Sequence, residues 1–264
     1  MSRSWMTRWS KMAVLAAGAL ALGGFGVAPS YAADDAEIYL VQGLPGKTVD
    51  MWVDDEPLAK GLKTAAIAGP FTVKGGQRKL TLRSNGKIVL ERTWMVTAKT
   101  ASDLVLHLPA APSSDPVVTV FKNDLSAVPK GKASLTVAHT AAVPPADIRV
   151  NEEVLFANIA NGESLNIVVP VATYNVKIVP TGETGPVILG PLKLTVRGGA
   201  LNRVYAIGDP AKKTMNVVVH IITMGPSGSS TPDEVNTGTG GQAVGSQPNV
   251  FAADAYDVFA GSSR

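Results

Sequence analysis

The chain has 264 residues, with 24 Lys and Arg against 21 Asp and Glu, three His and no Cys. The missing thiols exclude disulfides, zinc–thiolate sites, iron–sulfur clusters and a cysteine nucleophile. Residues 1–32 hold three bases and no acid, so the rest balances 21 bases against 21 acids and has no charge-driven attraction to nucleic acid or anionic lipid.

Arg3, Arg8 and Lys11 precede an apolar run from Met12 to about Val27. Ser30-Tyr31-Ala32 follows, with small residues at the two positions a signal peptidase reads. This order predicts a cleaved secretory signal over 1–32. The run is short for a bilayer span of about 20 residues and is loosened by glycines. No later run is long enough to span, and no Cys offers a lipid anchor. An exported chain without disulfides must be stabilised by apolar burial, which two domains of about 100 residues can supply.

From Glu37 onward the pattern has period two. Leu80 and Leu82 alternate with Lys79, Thr81 and Arg83; Val176 and Ile178 with Asn175 and Lys177; Leu192, Leu194 and Val196 with Lys193, Thr195 and Arg197. Strands of this kind bury one face and wet the other, as in antiparallel sheets. Ser84-Asn85-Gly86-Lys87 is a hairpin signal, because Asn-Gly tolerates positive φ at both turn positions. No stretch after residue 32 has the apolar spacing of a 12-residue helix. Many short strands with frequent turns predict an all-β fold of immunoglobulin-like sandwiches.

The sequence repeats itself. Thr48–Glu56 aligns with Pro145–Glu153 at an offset of 97, Arg78–Gly86 with Tyr174–Gly182 at 96, and Val117–Phe121 with Asn216–His220 at 99. The expected organisation is a signal peptide at 1–32, tandem sandwiches at 33–130 and 131–224, and a tail at 225–264. The short linker, about Leu125–Lys132, holds Pro129 and Gly131 and favours a fixed pair over independent domains. Residues 225–247 are Gly-, Ser- and Thr-rich, a composition that predicts disorder. The apolar-acidic segment Val250–Phe259 that follows is either a frayed end or a docking peptide.

His139–Asn151 resembles the opening of a family of bacterial exported proteins called domain of unknown function 4397. Ala172–Val176, Pro180-Thr181-Gly182, Leu192–Gly199 and Val204–Gly208 fit the segments that follow in that family. The resemblance covers most of 135–222 and, more weakly, 38–124. The first repeat departs from the pattern, with Gln42 in place of His139 and Arg78 in place of Tyr174. The resemblance implies a β-sandwich on exported or surface proteins and implies no reaction.

Few residues invite chemistry. Asp50 and Asp147 occupy matching positions inside apolar strands, where a carboxylate needs a partner. They bond either backbone amides or a cation. Asp54-Asp55-Glu56 and Asn151-Glu152-Glu153 are matching acidic turns without the spacing of a calcium loop. Trp52 shares parity with Asp50 and Asp54, opposite Met51 and Val53, which puts it on the solvent side; Trp94 reads as core. His139 and His220 would be neighbours if the first and last strands of the second repeat paired, and would then form a structural pair rather than a zinc site. No nucleophile elbow or phosphate loop is present.

The expectation is a non-catalytic exported binding or structural module at the cell surface or in the medium. Its partner would be a protein or cell-envelope polymer, without cofactor, metal, nucleic acid or membrane span. The candidate binding residues are Trp52, Asp50, Asp147 and His139. Carbohydrate binding through Trp52 is one alternative. A hydrolase pairing Asp50 or Asp147 with a loop carboxylate is another.

Overall fold

The computed structural model describes residues 34–111 and 115–224; the expected signal peptide at 1–32 and tail at 225–264 lie outside them. The first half forms β1 (Asp35–Gln42), β2 (Val49–Val53), β3 (Glu56–Leu62), β4 (Ile67–Lys74), β5 (Gly76–Ser84), β6 (Lys87–Val96), β7 (Ala101–His107) and β8 (Val117–Asn123). The second half forms β9 (Lys132–Ala141), β10 (Ala146–Val150), β11 (Glu153–Ile159), β12 (Ser164–Pro170), β13 (Thr173–Pro180), β14 (Leu189–Thr195), β15 (Ala200–Gly208) and β16 (Asn216–Thr223). Among the described residues the helical content is one three-residue 3-10 turn, Pro210–Lys212.

The fold is all-β and is built from four four-stranded sheets. The orders β4-β1-β7-β8 and β3-β2-β5-β6 recur as β12-β9-β15-β16 and β11-β10-β13-β14. Turn chemistry sets the hairpins. Asn85 and Gly86 have φ of 50° and 73° and close β5 onto β6. Asp54-Asp55 and Asn151-Glu152 do the same for the β2–β3 and β10–β11 hairpins, all four residues at positive φ. Two consecutive left-handed residues give the turn whose twist suits a right-twisted hairpin.

Period-two alternation points to antiparallel pairing, and most pairs are antiparallel. Two are not: β1 runs parallel to β7, and β9 parallel to β15. Between each such pair the chain builds the other sheet of its sandwich, and that long excursion lets it return in the same direction.

Leu40, Met51, Leu82 and Leu104 fill the core between the first two sheets. Ile148, Val176, Leu194 and Val217 fill the core between the last two. A third cluster joins the sandwiches face to face: Val41, Val105 and Phe121 pack with Ala138, Tyr205, Ile207 and Val218. The sheets containing β7 and β15 are therefore covered on both faces, and all nine residues of β15 are buried. That accounts for the nearly continuous apolar runs of these two strands, where outer strands alternate.

Gly43 sits where the sandwiches come closest. A Cβ there would lie 2.7 Å from Leu106 O and 3.0 Å from Ile207 Cγ2. Gly43→Ala is expected to cost about 1–3 kcal/mol through overpacking, read as a lowered urea midpoint.

Candidate functional site

The two aspartates singled out by sequence do the same local job. Each strand pair β2–β3 and β10–β11 is interrupted by register shifts beside the aspartate. The bulge frees one amide of the partner strand from the ladder, and the carboxylate captures it. Gly61 N–H donates to Asp50 Oδ1 at 2.7 Å, and Asn158 N–H to Asp147 Oδ1 at 2.8 Å. Gly61 and Asn158 both lie at positive φ, 70° and 55°. Gly182 N–H adds a bond to Asp147 Oδ2 at 2.9 Å. The amides of Asn158 and then Gly182 hold the Asp147 carboxyl below its usual range. Both aspartates thus serve the backbone.

The acidic turns are spoken for as well. Asp54 accepts from Lys79 N–H at 2.9 Å and pairs with Arg78 at 3.1 Å. Asp55 pairs with Lys79 and Glu152 with Lys177. Among the described residues no three acidic or imidazole side chains converge as metal ligands. Trp52 is half-buried rather than open, because the Arg83 guanidinium lies 4.8 Å from its ring centroid. Trp94 is in the core.

His139 and His220 do not meet, because β15 lies between β9 and β16. His139 instead neighbours His107, and its Nε2 contacts Pro144 O at 3.2 Å. His107 is fully buried, with Nδ1 2.8 Å from Leu108 O and Nε2 2.8 Å from Thr119 Oγ1. Burial, with His139 nearby, drives the His107 pKa from 6.5 down to about 4. Burial also lowers that of His139.

The most concentrated polar chemistry lies between the sandwiches, around Asp103 of β7. Its carboxylate has no exposed surface. Asn123 Nδ2 donates to Oδ1 at 2.7 Å; Tyr205 OH and His220 Nδ1–H donate to Oδ2 at 2.6 and 2.8 Å. Burial alone would raise the Asp103 pKa, and the bonds from His220, Asn123 and Tyr205 outweigh it and lower it. Burial and the Asp103 charge push the Tyr205 pKa well up. Tyr39, edge-on to His220 at 4.5 Å, rises to about 12 through burial, Glu37 and Asp103.

Residues 36–149 match the family model for a domain of unknown function, DUF4397. The match takes in the whole first sandwich and continues through β9 into β10. A search among curated proteins found no match to the chain.

The two inner sheets meet about an approximate two-fold. Strand registers make Arg203 the counterpart of Asp103 and His220 the counterpart of Phe121. Asp103 bonds His220, while Arg203 lies over the Phe121 ring at 5.8 Å and donates to Lys122 O. The mutual contacts are those of an isologous interface, chemically split into an acid end and a guanidinium end. Asn161 Nδ2 adds a bond to Leu108 O across the same seam at 3.1 Å.

Sequence reading passed over Asp103, Asn123, Arg203 and Tyr205. The available signal was an isolated charge within each doubly buried strand: Asp103 before Leu104-Val105-Leu106, and Arg203 before Val204-Tyr205-Ala206.

Removing the acid should outweigh removing one donor. Asp103→Ala is expected to cost about 3–5 kcal/mol and Tyr205→Phe about 1–3 kcal/mol, measured by urea unfolding at pH 7. The second expectation concerns pH. His107 is held neutral in the fold, whereas the unfolded chain takes up its proton near pH 6.5. This stabilisation is full above pH 6.5 and falls as pH drops from 6.5 to 4, by up to about 3 kcal/mol. His107→Gln should be less stable at pH 7 and show a flatter profile between pH 7 and 4.5.

Proposed function

We propose that this protein is an exported, non-catalytic module that binds a protein or cell-envelope polymer at the cell surface or in the medium. One observation carries the reading: the carboxylates of Asp103, Asp50 and Asp147 are turned inward or onto the backbone. Asp103 and Tyr205 have no exposed surface. Asp50 and Asp147 hold hairpin amides. The cavity enclosed in the second sandwich, about 20 Å³, has room for one water and is lined almost wholly by apolar side chains such as Val137, Ile148, Val176 and Leu194. Among the described residues no helix is long and apolar enough to cross a membrane. Available for contact are outer sheet faces, strand edges and an open groove of about 480 Å³ beside Lys99, Lys122, Asp124 and Ser126.

Carbohydrate binding is the second reading, favoured by the surroundings of Trp52. Its cross-strand neighbour is Thr81, which bonds Glu91, and Arg83 stacks on the ring. An aromatic among polar groups on an outer face suits sugar stacking once Arg83 swings away.

Cell fractionation with intact-mass analysis, followed by cross-linking, tests the proposal. The expected result is a mature mass starting at Ala33 and cross-links to envelope components. A retained N-terminus, or free protein without partners, would count against it. Loss of polysaccharide retention in Trp52→Ala would favour the sugar reading, and unchanged retention would remove it.

A further inference from the structure

The inner sheet of the second sandwich has an unguarded edge. No strand lies beyond β12 among the described residues. It pairs with β9 in seven consecutive steps without a bulge, from Ser164 opposite Ala138 to Pro170 opposite Lys132. His139 N–H donates to Glu163 O and Val171 N–H to Gly131 O. Odd-numbered residues therefore bond β9, and Ser164, Asn166 and Val168 turn their N–H and C=O groups outward. The strand has no charged residue. Leu165, Val168 and nearby Val171 are 44%, 51% and 48% exposed.

The equivalent edge of the first sandwich is defended. In β4, Pro70 has no N–H to offer, the register breaks opposite Ile38–Leu40, and Lys74 ends the strand. Prolines, bulges and lysines are the usual guards against strand addition. β12 lacks them along six of its seven residues, with Pro170 only at its end.

The chain itself supplies a cover. Ile222, Leu201, Ser134 and Val168 form one row across the sheet. The strand end that leads into the tail thus lies level with Val168, three strand spacings or about 14 Å away. The 25 residues 225–249 are Gly-, Ser- and Thr-rich, and a chain of that composition spans roughly 25–30 Å. Beyond them Val250–Phe259 carries Val250, Phe251, Tyr256, Val258 and Phe259, with Asp254 and Asp257 its only charges. Charge favours the encounter: residues 33–224 hold 20 bases and 17 acids, and residues 225–264 one base and four acids. We propose that Val250–Phe259 adds to β12 of its own molecule as a fifth strand, covering Leu165 on one face of the sheet and Val168 on the other. The proposal stands apart from export or partner choice.

Hydrogen exchange read by mass spectrometry on the whole chain tests it. The amides of 250–259 should exchange at least tenfold more slowly than those of 235–245. Val168→Pro removes one outward N–H and leaves the β9 ladder intact; it should return 250–259 to the rate of 235–245 while β9 and β15 keep their protection. Should the proline unfold the sandwich, Val168→Lys at the same exposed position should give the same release. Equal rates in the two segments of the unmodified chain would overturn the proposal. So would slow exchange that survives both substitutions, or that vanishes on tenfold dilution, which would mean donation between copies.

Discussion

A carboxylate cut off from water must find its donors inside the protein, and the arrangement of the two sandwiches follows from that requirement at Asp103. An unpaired buried charge is strongly destabilising. Asn123 offers one donor from the neighbouring strand of the same sheet. The other two, Tyr205 and His220, come from the second sandwich. Apolar packing by Val41, Val105, Ala138, Ile207 and Val218 is non-directional and would tolerate sliding. The two hydrogen bonds that Tyr205 and His220 bring across the seam to Asp103 do not tolerate it, and they fix one docking of the halves.

The approximate two-fold makes this fixation asymmetric in chemistry. Where the first sandwich presents Asp103, the second presents Arg203, and the partners diverge with them, His220 at one end and Phe121 at the other. Arg203 Nε and Nη1 are buried without hydrogen-bond partners, a cost that stacking on Phe121 offsets in part. Tandem repeats that share a fold could pair in more than one register. Distinct polar groups at the two ends of the seam remove that freedom.

Repetition also explains the aspartates that look functional in sequence. A bulge beside Asp50 and Asp147 strands one amide in each hairpin, that of left-handed Gly61 or Asn158 on the partner strand, and the aspartate carboxylate across from it accepts its hydrogen bond. The same physical problem arises twice because the hairpin occurs twice. The sandwiches differ at their edges, where β4 is broken by Pro70 and β12 is not, so the surfaces open to contact are less alike than the interiors.

The amino-acid sequence by itself determined the all-β class, the sandwich architecture, the Asn85-Gly86 hairpin and the resemblance to DUF4397, whose family model matches residues 36–149. Alternation and turn residues act between near neighbours in the chain, and the repeat at an offset of 96 to 99 residues is read by comparing the sequence with itself. The parallel pairs β1–β7 and β9–β15 were not legible, since period-two patterning is the same in either direction. Trp52 was placed on the correct face, but Arg83, 31 residues away, covers its ring. The Asp103 cluster was illegible for the same reason at longer range. Its donors lie 20, 102 and 117 residues from Asp103. An acid in a strand tells nothing of its partners until another sheet is laid over it. Only the tertiary structure brought these groups together, because burial of a charge is decided by what packs on top of it, and that is set by two sandwiches docking face to face.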